Sequence, residues 1–405
     1  MNLIVQKYGG SSVADVERMR SVAEKISNKV REGYKVIVVV SAMGKTTDQL
    51  IELAKSVSKE PDPREMDMLL TTGEQISAAL LSIRLRDMGI RSKSFNAFQM
   101  GIKTTEDHTS ARILDIDSER IIKELEDLDV VVITGFQGIN EKGDLTTLGR
   151  GGSDTSAVAI AVKLGVPCEI YSDVNGIYTC DPRIAPRAKK LRYITYDDLL
   201  EMTSLGAKVV HSRAVELAKK YDVELYCACS FSEEEGTHVV SKLPEWLEQP
   251  VVTGVSYDVN QIKITVSNLP VSEDIVFRIF EEVSRENLNV DMISLIQVEG
   301  RIHLSFTILK DHSSKVERAV GRALNGLKGW KLEKKEGYAK VSIVGVGMKS
   351  SPGVASRFFK VLLKSGIKVD LTTTSEIKIS SLIPVDKLDE VIESLLEEFD
   401  LVEER

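Results

Sequence analysis

Continuous apolar runs alternate with amphipathic stretches over the first 230 positions of the chain. The run 36–40 (Val-Ile-Val-Val-Val) precedes the helix-period stretch 47–57. The run 130–133 is followed by the alanine-rich stretch 155–164, and 168–171 by the helix-like stretches 196–203 and 206–221, before a last strand-like run at 224–228. Apolar strands each followed by a helix predict a largely parallel sheet covered on both faces. A polar, proline-bearing passage at 230–250 then changes the rhythm. Strand-like 262–267, helix-like 275–286, strand-like 290–297 and 301–309 and helical 315–326 follow, and the pattern returns at a spacing of 79 residues. Ile264 matches Ile343, Phe280 matches Phe359, and Val290-Asp291 matches Val369-Asp370. The last third is therefore a duplication of βαββαβ units of the split, ferredoxin-like kind, whose sheet edges pair readily with another copy.

Two glycine-rich turns punctuate the first half. Leu148-Gly149-Arg150-Gly151-Gly152-Ser153-Asp154 opens the helical stretch at 155, following on the run 130–133. Gln6-Lys7-Tyr8-Gly9-Gly10-Ser11-Ser12 follows the apolar 3–5 and leads into a helix pattern over 13–30. Free backbone N–H groups and the positive end of a helix dipole at such a turn stabilise an anion with little desolvation. One glycine turn is common; two, with a lysine and an arginine beside them, point to a polyphosphate.

Length and composition narrow the field. A chain of 405 residues exceeds one ordinary core and predicts two or three domains. At 42% hydrophobic and 28% charged residues it reads as an ordinary globular protein, and a net charge of −8 argues against general affinity for nucleic acid or anionic membrane. No apolar run approaches the roughly 18 residues of a membrane-spanning helix, and positions 1–10 lack a signal-peptide core, so a cytosolic location is expected. Cys168, Cys180, Cys227 and Cys229 are few for this length and are expected as thiols; Cys227 and Cys229 share one face of a strand but no second pair or histidine cluster accompanies them. His108, His211, His238, His303 and His312 are scattered, giving no support to a zinc site or a Ser/His/Asp arrangement.

Gly44-Lys45-Thr46-Thr47 lacks the glycine a Walker A loop needs at position 39, where Val39 stands, and no complete G-x-G-x-x-G follows the first strand. Phosphoryl transfer needs fixed positive charge, backbone donors and a device that holds the acceptor in line. Lys7 and the N–H groups of Gly9, Gly10, Gly44, Gly151 and Gly152 are placed to meet the first two needs at the C-terminal edge of the sheet.

Six segments in order resemble the motif series of aspartate kinases: Lys7-Tyr8-Gly9-Gly10-Ser11-Ser12, Val40-Ser41-Ala42-Met43-Gly44, Thr72-Gly73-Glu74-Gln75, Gly135-Phe136-Gln137-Gly138, Gly149 to Asp154, and Tyr171-Ser172-Asp173-Val174-Asn175-Gly176-Ile177-Tyr178. The duplicated tail resembles the tandem ACT domains of the same family. The resemblance implies an amino-acid-kinase catalytic domain at 1–245, a first ACT domain with its linker at 246–335 and a second at 336–405. It implies transfer of the ATP γ-phosphoryl group to the β-carboxylate of L-aspartate, the first step toward lysine, threonine, methionine and isoleucine. By the same resemblance Lys7 stabilises the transferring phosphoryl group. Gly9, Gly10, Ser41 and Gly44 line the phosphate path, Tyr8, Gly151, Gly152 and Ser153 are further ATP contacts, and Ser41, Thr47 and Phe136 contact the amino acid. Arg150 grips the α-carboxylate and Glu74 takes the α-ammonium, while Asp154 orients either Lys7 or that ammonium. Ser172, Asp173, Tyr178, Arg183, Lys208 and Val209 are the nucleotide contacts. Magnesium is implied by ATP chemistry and held mostly by phosphate oxygens, no dedicated carboxylate cluster being visible. A carboxylate is a competent nucleophile at neutral pH, so no general base is required. Related readings are another amino-acid kinase, such as a glutamate 5-kinase, or a catalytically silent amino-acid sensor.

The resemblance also implies an effector amino acid, threonine and/or lysine, bound between paired ACT modules near the turn after the first strand, and hence a homo-oligomer. The second copy keeps the family's Pro-Gly turn at Pro352-Gly353, with Ser375-Glu376 in the inhibitor-contact strand. The first copy reads Asn268 to Asp274, with Glu273-Asp274 in place of Pro-Gly, and Asn289 follows. The effector contacts expected are Asn268, Asp274, Asn289, Ser375 and Glu376.

Overall fold

The computed structural model describes residues 2–206, 209–244, 250–272 and 274–403. They form two compact units. The first holds residues 2–177, 190–204 and 209–244; the second holds 178–189, 205–206 and the described residues from 250 onward. The units are not the contiguous segments expected, because 178–189 belongs with the C-terminal half although it precedes position 245.

The first unit is built on an eight-stranded sheet in the order Tyr193–Thr195, Thr237–Val240, Leu225–Cys229, Cys168–Ser172, Asn2–Tyr8, Tyr34–Val40, Val130–Thr134, Ser92–Phe95. Its pairings are parallel except for Leu225–Cys229 against Thr237–Val240. Val36 to Val40 are each fully buried, which a strand achieves only when both faces of its sheet are covered. One cover is the helix Val16–Arg31, which starts where Asp15 accepts the Arg18 N–H at 2.9 Å and buries Met19, Val22, Ala23 and Ile26. The helix Gly152–Leu164 is buried continuously from Gly152 to Ala161 and ends on Gly165 in the left-handed conformation, whose N–H returns to Ala161 and Val162. From Ala157 to Ala161 it is apolar all round because it runs through the interior.

The region 58–129, to which the sequence reading assigns no element, holds the helices Pro63–Leu70, Thr72–Asp87 and Ser118–Asp127 and part of a second, four-stranded sheet. That sheet runs Ile113–Ile116, Ile102–Thr104, Gln137–Ile139, Leu145–Thr147. The glycine turn at 149–152 therefore does not follow Val130–Thr134 directly: the hairpin of Gln137–Ile139 and Leu145–Thr147 intervenes. The helix expected over 206–221 begins only at Ser212.

In the second unit the duplication is visible but shared. Six strands form one sheet: Ile293–Val298, Arg301–Leu309, Gly254–Pro270, Lys331–Val344, Lys378–Pro384, Thr372–Thr374. Gly254–Pro270 and Lys331–Val344 run antiparallel and each serves both copies. Residues 261–267 face 331–338, whereas 254–258 face 340–344. The fourth strand of the second copy is thus supplied from ahead of the first, and the first copy is an insertion in the second, not its tandem predecessor. The cores agree. Ile262, Ile264, Ile279, Phe306 and Val320 pack in the first lobe. Val252 and Val255 pack with Ile343, Phe358, Ile379 and Leu395 in the second, together with Cys180, Ala185 and Ala188. A side chain such as Phe358, fully buried, contributes roughly 1.5–3 kcal/mol by leaving water.

Val255 is 2% exposed and belongs to the second lobe's core. Val255→Asp places an uncompensated carboxylate there and should lower stability by about 3 kcal/mol or more. Urea unfolding followed by near-UV signals of the second lobe checks this, and an unchanged midpoint would refute the shared-strand topology.

Candidate active site

The strand Asn2–Tyr8 ends at the centre of the larger sheet, between Tyr34–Val40 and Cys168–Ser172. Its last residues and the turn after it meet the segments that leave the two strands on its right. Ser41 donates its N–H to the Tyr8 carbonyl at 3.1 Å, Gly44 to Gly10 at 3.0 Å, and Gly135 to Val40 at 3.0 Å. Close approach demands glycine here: a Cβ on Gly10 would lie 2.8 Å from the Ala42 carbonyl oxygen. On Gly135 it would lie 2.9 Å from Ser153 Cβ, which seats the start of the helix Gly152–Leu164 against this edge.

Lys7 Nζ and Asp154 Oδ1 are 2.6 Å apart, with both side chains nearly enclosed, so the two glycine turns converge. The other oxygen of Asp154 accepts the His211 backbone N–H at 3.0 Å. A carboxylate in the first turn of a helix is further favoured by the helix dipole. Asp154 thus pairs with Lys7, one of the two partners left open for it. A Cβ on Gly9 would stand 3.3 Å from Lys7 Nζ, so the first turn passes close by the ammonium.

The backbone donors differ from those expected. The N–H groups of Gly9, Gly44 and Gly152 are already given to the carbonyls of Tyr171, Gly10 and Gly149. Those of Gly10, Ser11, Gly151, Ser153 and Asp154 have no acceptor among the described residues. The first turn of a helix leaves such donors unpaired as a rule, and here they border the Lys7 ammonium.

The side chain of Tyr8 faces away from the site. Its ring is fully buried, stacks on Tyr171 at 5.0 Å and donates its hydroxyl to Gln6 at 3.2 Å. Burial holds its phenol well above the ordinary range. Period-two alternation puts Lys7 on one face of the strand and Tyr8 on the other, so only the Tyr8 backbone borders the site.

Glu74 stands in the first turn of Thr72–Asp87, 3% exposed. Its Oε1 accepts the Ala42 N–H at 3.1 Å, and its Oε2 is buried with no partner among the described residues. Burial pushes its carboxyl up to about 7, against the pull of its backbone hydrogen bonds. A Cβ on Gly73 would lie 2.8 Å from Ala42 Cβ and 3.6 Å from Thr46 Cγ2, so the helix Thr46–Val57, with Thr47 half-buried in its first turn, starts close to the turn that carries Glu74. Phe136, with φ +70, lays its ring against Gly152 and donates its N–H to Ser156. Arg150 is exposed and makes no ion pair among the described residues.

His211 escaped the sequence reading. A Cβ on Gly151, whose φ is +68, would fall 2.0 Å from its ring, and burial lowers its pKa. No pattern of residue types marks it, because it meets Asp154 through its backbone. Among the expected nucleotide contacts, Ser172 accepts the Val174 N–H with its hydroxyl, Asp173 is exposed and Val209 half-buried. Tyr178 and Arg183 belong to the second unit, where Asp181 holds the Arg183 guanidinium. Lys208 and Glu273 lie outside the described residues. Among the effector candidates, Asn268 takes φ +60 and donates to the Gly329 carbonyl, and Asp274 accepts from Ser272. Asn289 is exposed, Ser375 accepts the Ile377 N–H, and Glu376 pairs with Lys349 at 2.7 Å.

Comparison with known proteins places these features in context. The profile of the amino acid kinase family matches residues 2–229, and that of the ACT domain matches residues 341–399. An aspartokinase of Bacillus sp. (strain MGA3) is 45% identical over 99% of this chain and 98% of its own length. An aspartokinase of Geobacillus stearothermophilus is 44% identical over 100% and 98%. Among solved structures, E. coli aspartokinase III in complex with aspartate and ADP superposes with a TM-score of 0.83 at 24% identity, covering 98% of this chain and 100% of that one.

Proposed function

The chain belongs to the aspartokinases of the amino acid kinase family, and from that premise we propose which of its residues carry the reaction and how. The reaction is transfer of the ATP γ-phosphoryl group to the side-chain carboxylate of L-aspartate, giving 4-phospho-L-aspartate and ADP. A carboxylate oxygen of the substrate attacks the γ-phosphorus in line, the bond from that phosphorus to the β,γ-bridging oxygen breaks, and its electron pair leaves on ADP. No proton needs removing, so the work is positioning and charge stabilisation.

The observation that carries the assignment is the Lys7–Asp154 pair, which fixes one ammonium among backbone donors of two turns. Lys7 meets the charge on the transferring group, and Asp154 keeps it aimed. The unpaired N–H groups of Gly10, Ser11, Gly151, Ser153 and Asp154 cradle phosphate oxygens, which is why the helix Gly152–Leu164 points its N-terminus here. Magnesium would arrive on the nucleotide, bound by phosphate oxygens, and supply further charge neutralisation. Glu74, with its unpartnered Oε2, receives the substrate ammonium, and Arg150 offers its two-pronged donor to the α-carboxylate. The cation and the anion that read a zwitterion then flank Ser41, Thr47 and Phe136.

The ACT lobes take a small amino acid, threonine and/or lysine, in an assembly of two or more chains. Pro352-Gly353 with φ +90 at Gly353, and Ser375-Glu376, supply the second lobe's contacts. Coupling to the catalytic unit requires a differential affinity of only about 1–3 kcal/mol.

A hydroxamate assay, which traps the acyl phosphate, tests the reaction and its residues. Activity is expected with aspartate and not with glutamate. Lys7→Ala should lower kcat by about 10²–10³-fold, and Arg150→Ala should raise KM for aspartate about 10–100-fold; a Lys7→Ala variant with full kcat would end this account. With threonine, lysine or both added at millimolar levels the rate should fall, and no inhibition by any of them would reject the regulatory reading. Glu74 gives a pH signature. Its carboxyl, raised to about 7, must ionise to receive an ammonium. KM for aspartate should therefore rise as pH falls through 7, by up to about tenfold per unit, and be flat above it. In Glu74→Gln the KM should be high and independent of pH between about 5.5 and 8; retention of the wild-type slope would assign the titration elsewhere.

A further inference from the structure

Asp67 is a buried carboxylate with no part in the chemistry above. It sits in the helix Pro63–Leu70 and is 0% exposed. Its two oxygens accept four close contacts from three residues: Oδ1 takes the Thr147 hydroxyl at 2.6 Å and the Thr109 N–H at 3.2 Å, and Oδ2 takes the same N–H at 3.0 Å and His108 Nδ1 at 2.8 Å. A carboxylate is acceptor-only, so His108 carries its proton on Nδ1 at this contact. Thr109 is held at φ +65, a conformation a β-branched residue adopts only when its surroundings impose it.

These partners lie at the roots of the segments that read the substrate. Thr147 ends the strand Leu145–Thr147, two residues before Gly149 and three before Arg150. Gly149 turns at φ +76, with the Thr109 carbonyl 3.1 Å from where its Cβ would stand, so the Arg150 turn is seated on the segment Asp67 holds. On the other side, the helix of Asp67 runs through Thr71 into Thr72–Asp87, whose first turn carries Glu74. The helix of Asp67 is tied to the same hairpin at both ends, by Gln137 Nε2 to the Thr71 carbonyl at 3.0 Å at the junction and by Arg64 to Asp144 at 3.2 Å at its start.

We propose that Asp67, with His108 and Thr147, is a positioning residue that sets the separation between the Arg150 turn and Glu74, and thereby the length of amino acid accepted. This rests on the assignment of Arg150 and Glu74 to the substrate's two charged ends. Asp67 touches no substrate; it acts by locking two loops to one helix. A carboxylate is suited to this because an amide in its place presents a donor to donors, breaking the clamp without changing its volume. Shifts of about 1 Å in a binding constellation cost on the order of a hundredfold.

The test uses the full chain with Asp67→Asn, Thr147→Val and the double variant. Asp67→Asn should raise KM for aspartate about 10–100-fold, leave KM for ATP within about twofold, and erode the preference for aspartate over glutamate. Thr147→Val should show the same pattern more weakly, and the double variant should be no worse than Asp67→Asn, since both break one clamp. If Asp67→Asn yields no folded protein, Thr147→Val carries the test alone. An unchanged KM for aspartate, or a loss of kcat with both KM values intact, overturns the proposal. Arg150→Ala and Glu74→Gln separate the two layers: if they raise KM for aspartate and the clamp variants do not, the substrate assignment stands and the clamp falls, whereas if they have no effect the substrate assignment itself has failed and takes the clamp with it.

Discussion

A lysine and an aspartate 2.6 Å apart decide how the catalytic unit is put together. Lys7 is the last residue but one of the central strand of the sheet, and Asp154 stands in the first turn of a helix buried along ten consecutive residues. Bringing a strand end and a helix start this close leaves room only for small residues, and Gly10 and Gly135 stand at two of the close approaches. The pair is enclosed, so neither charge could be left alone without a large desolvation penalty. Each therefore holds the other in place, and the backbone donors that Ser153 and Asp154 leave unpaired are aimed by the same contact.

The division between what residue order discloses and what it conceals follows from range. The parallel strands were legible because each is a short apolar run with its own period, and Lys7, Glu74, Arg150 and Asp154 stand in motifs whose glycines mark their turns. A motif is a string of neighbours, while in a strand neighbours face opposite ways, so Tyr8 stands beside Lys7 in the motif yet brings only its backbone to the site. The donors at Gly9, Gly44 and Gly152 were misread for a related reason: which N–H is spent depends on carbonyls at Tyr171, Gly10 and Gly149, and those partners are set by tertiary approach. His211 and Asp67 were invisible, since one acts through its backbone and the other through three residues 41 to 80 positions away. Thr72–Asp87 carries no helical period, since it buries Glu74, Ser77 and Ser82 alongside its apolar residues, whereas Ser118–Asp127 within the same unassigned stretch is clearly amphipathic.

The duplicated half makes the same point at the level of topology. An internal repeat read from spacing assigns each copy its own strands, yet the strand that completes the second copy lies ahead of the first. Spacing reports the similarity of two units and says nothing of which edge is closed by which segment. Lys263–Asp370 and Lys340–Asp291 run between the copies, so their charged side chains as well as their backbones are paired across the boundary.

That borrowed strand has a consequence for how the protein is born. Residues 254–258 emerge from the ribosome some eighty residues before 340–344, the segment they must pair with. At 5–20 residues per second the gap amounts to about 4–16 seconds, during which an apolar edge waits with its hydrogen bonds open. The inserted lobe can close in that interval, and its closure brings the two halves of each long strand into register.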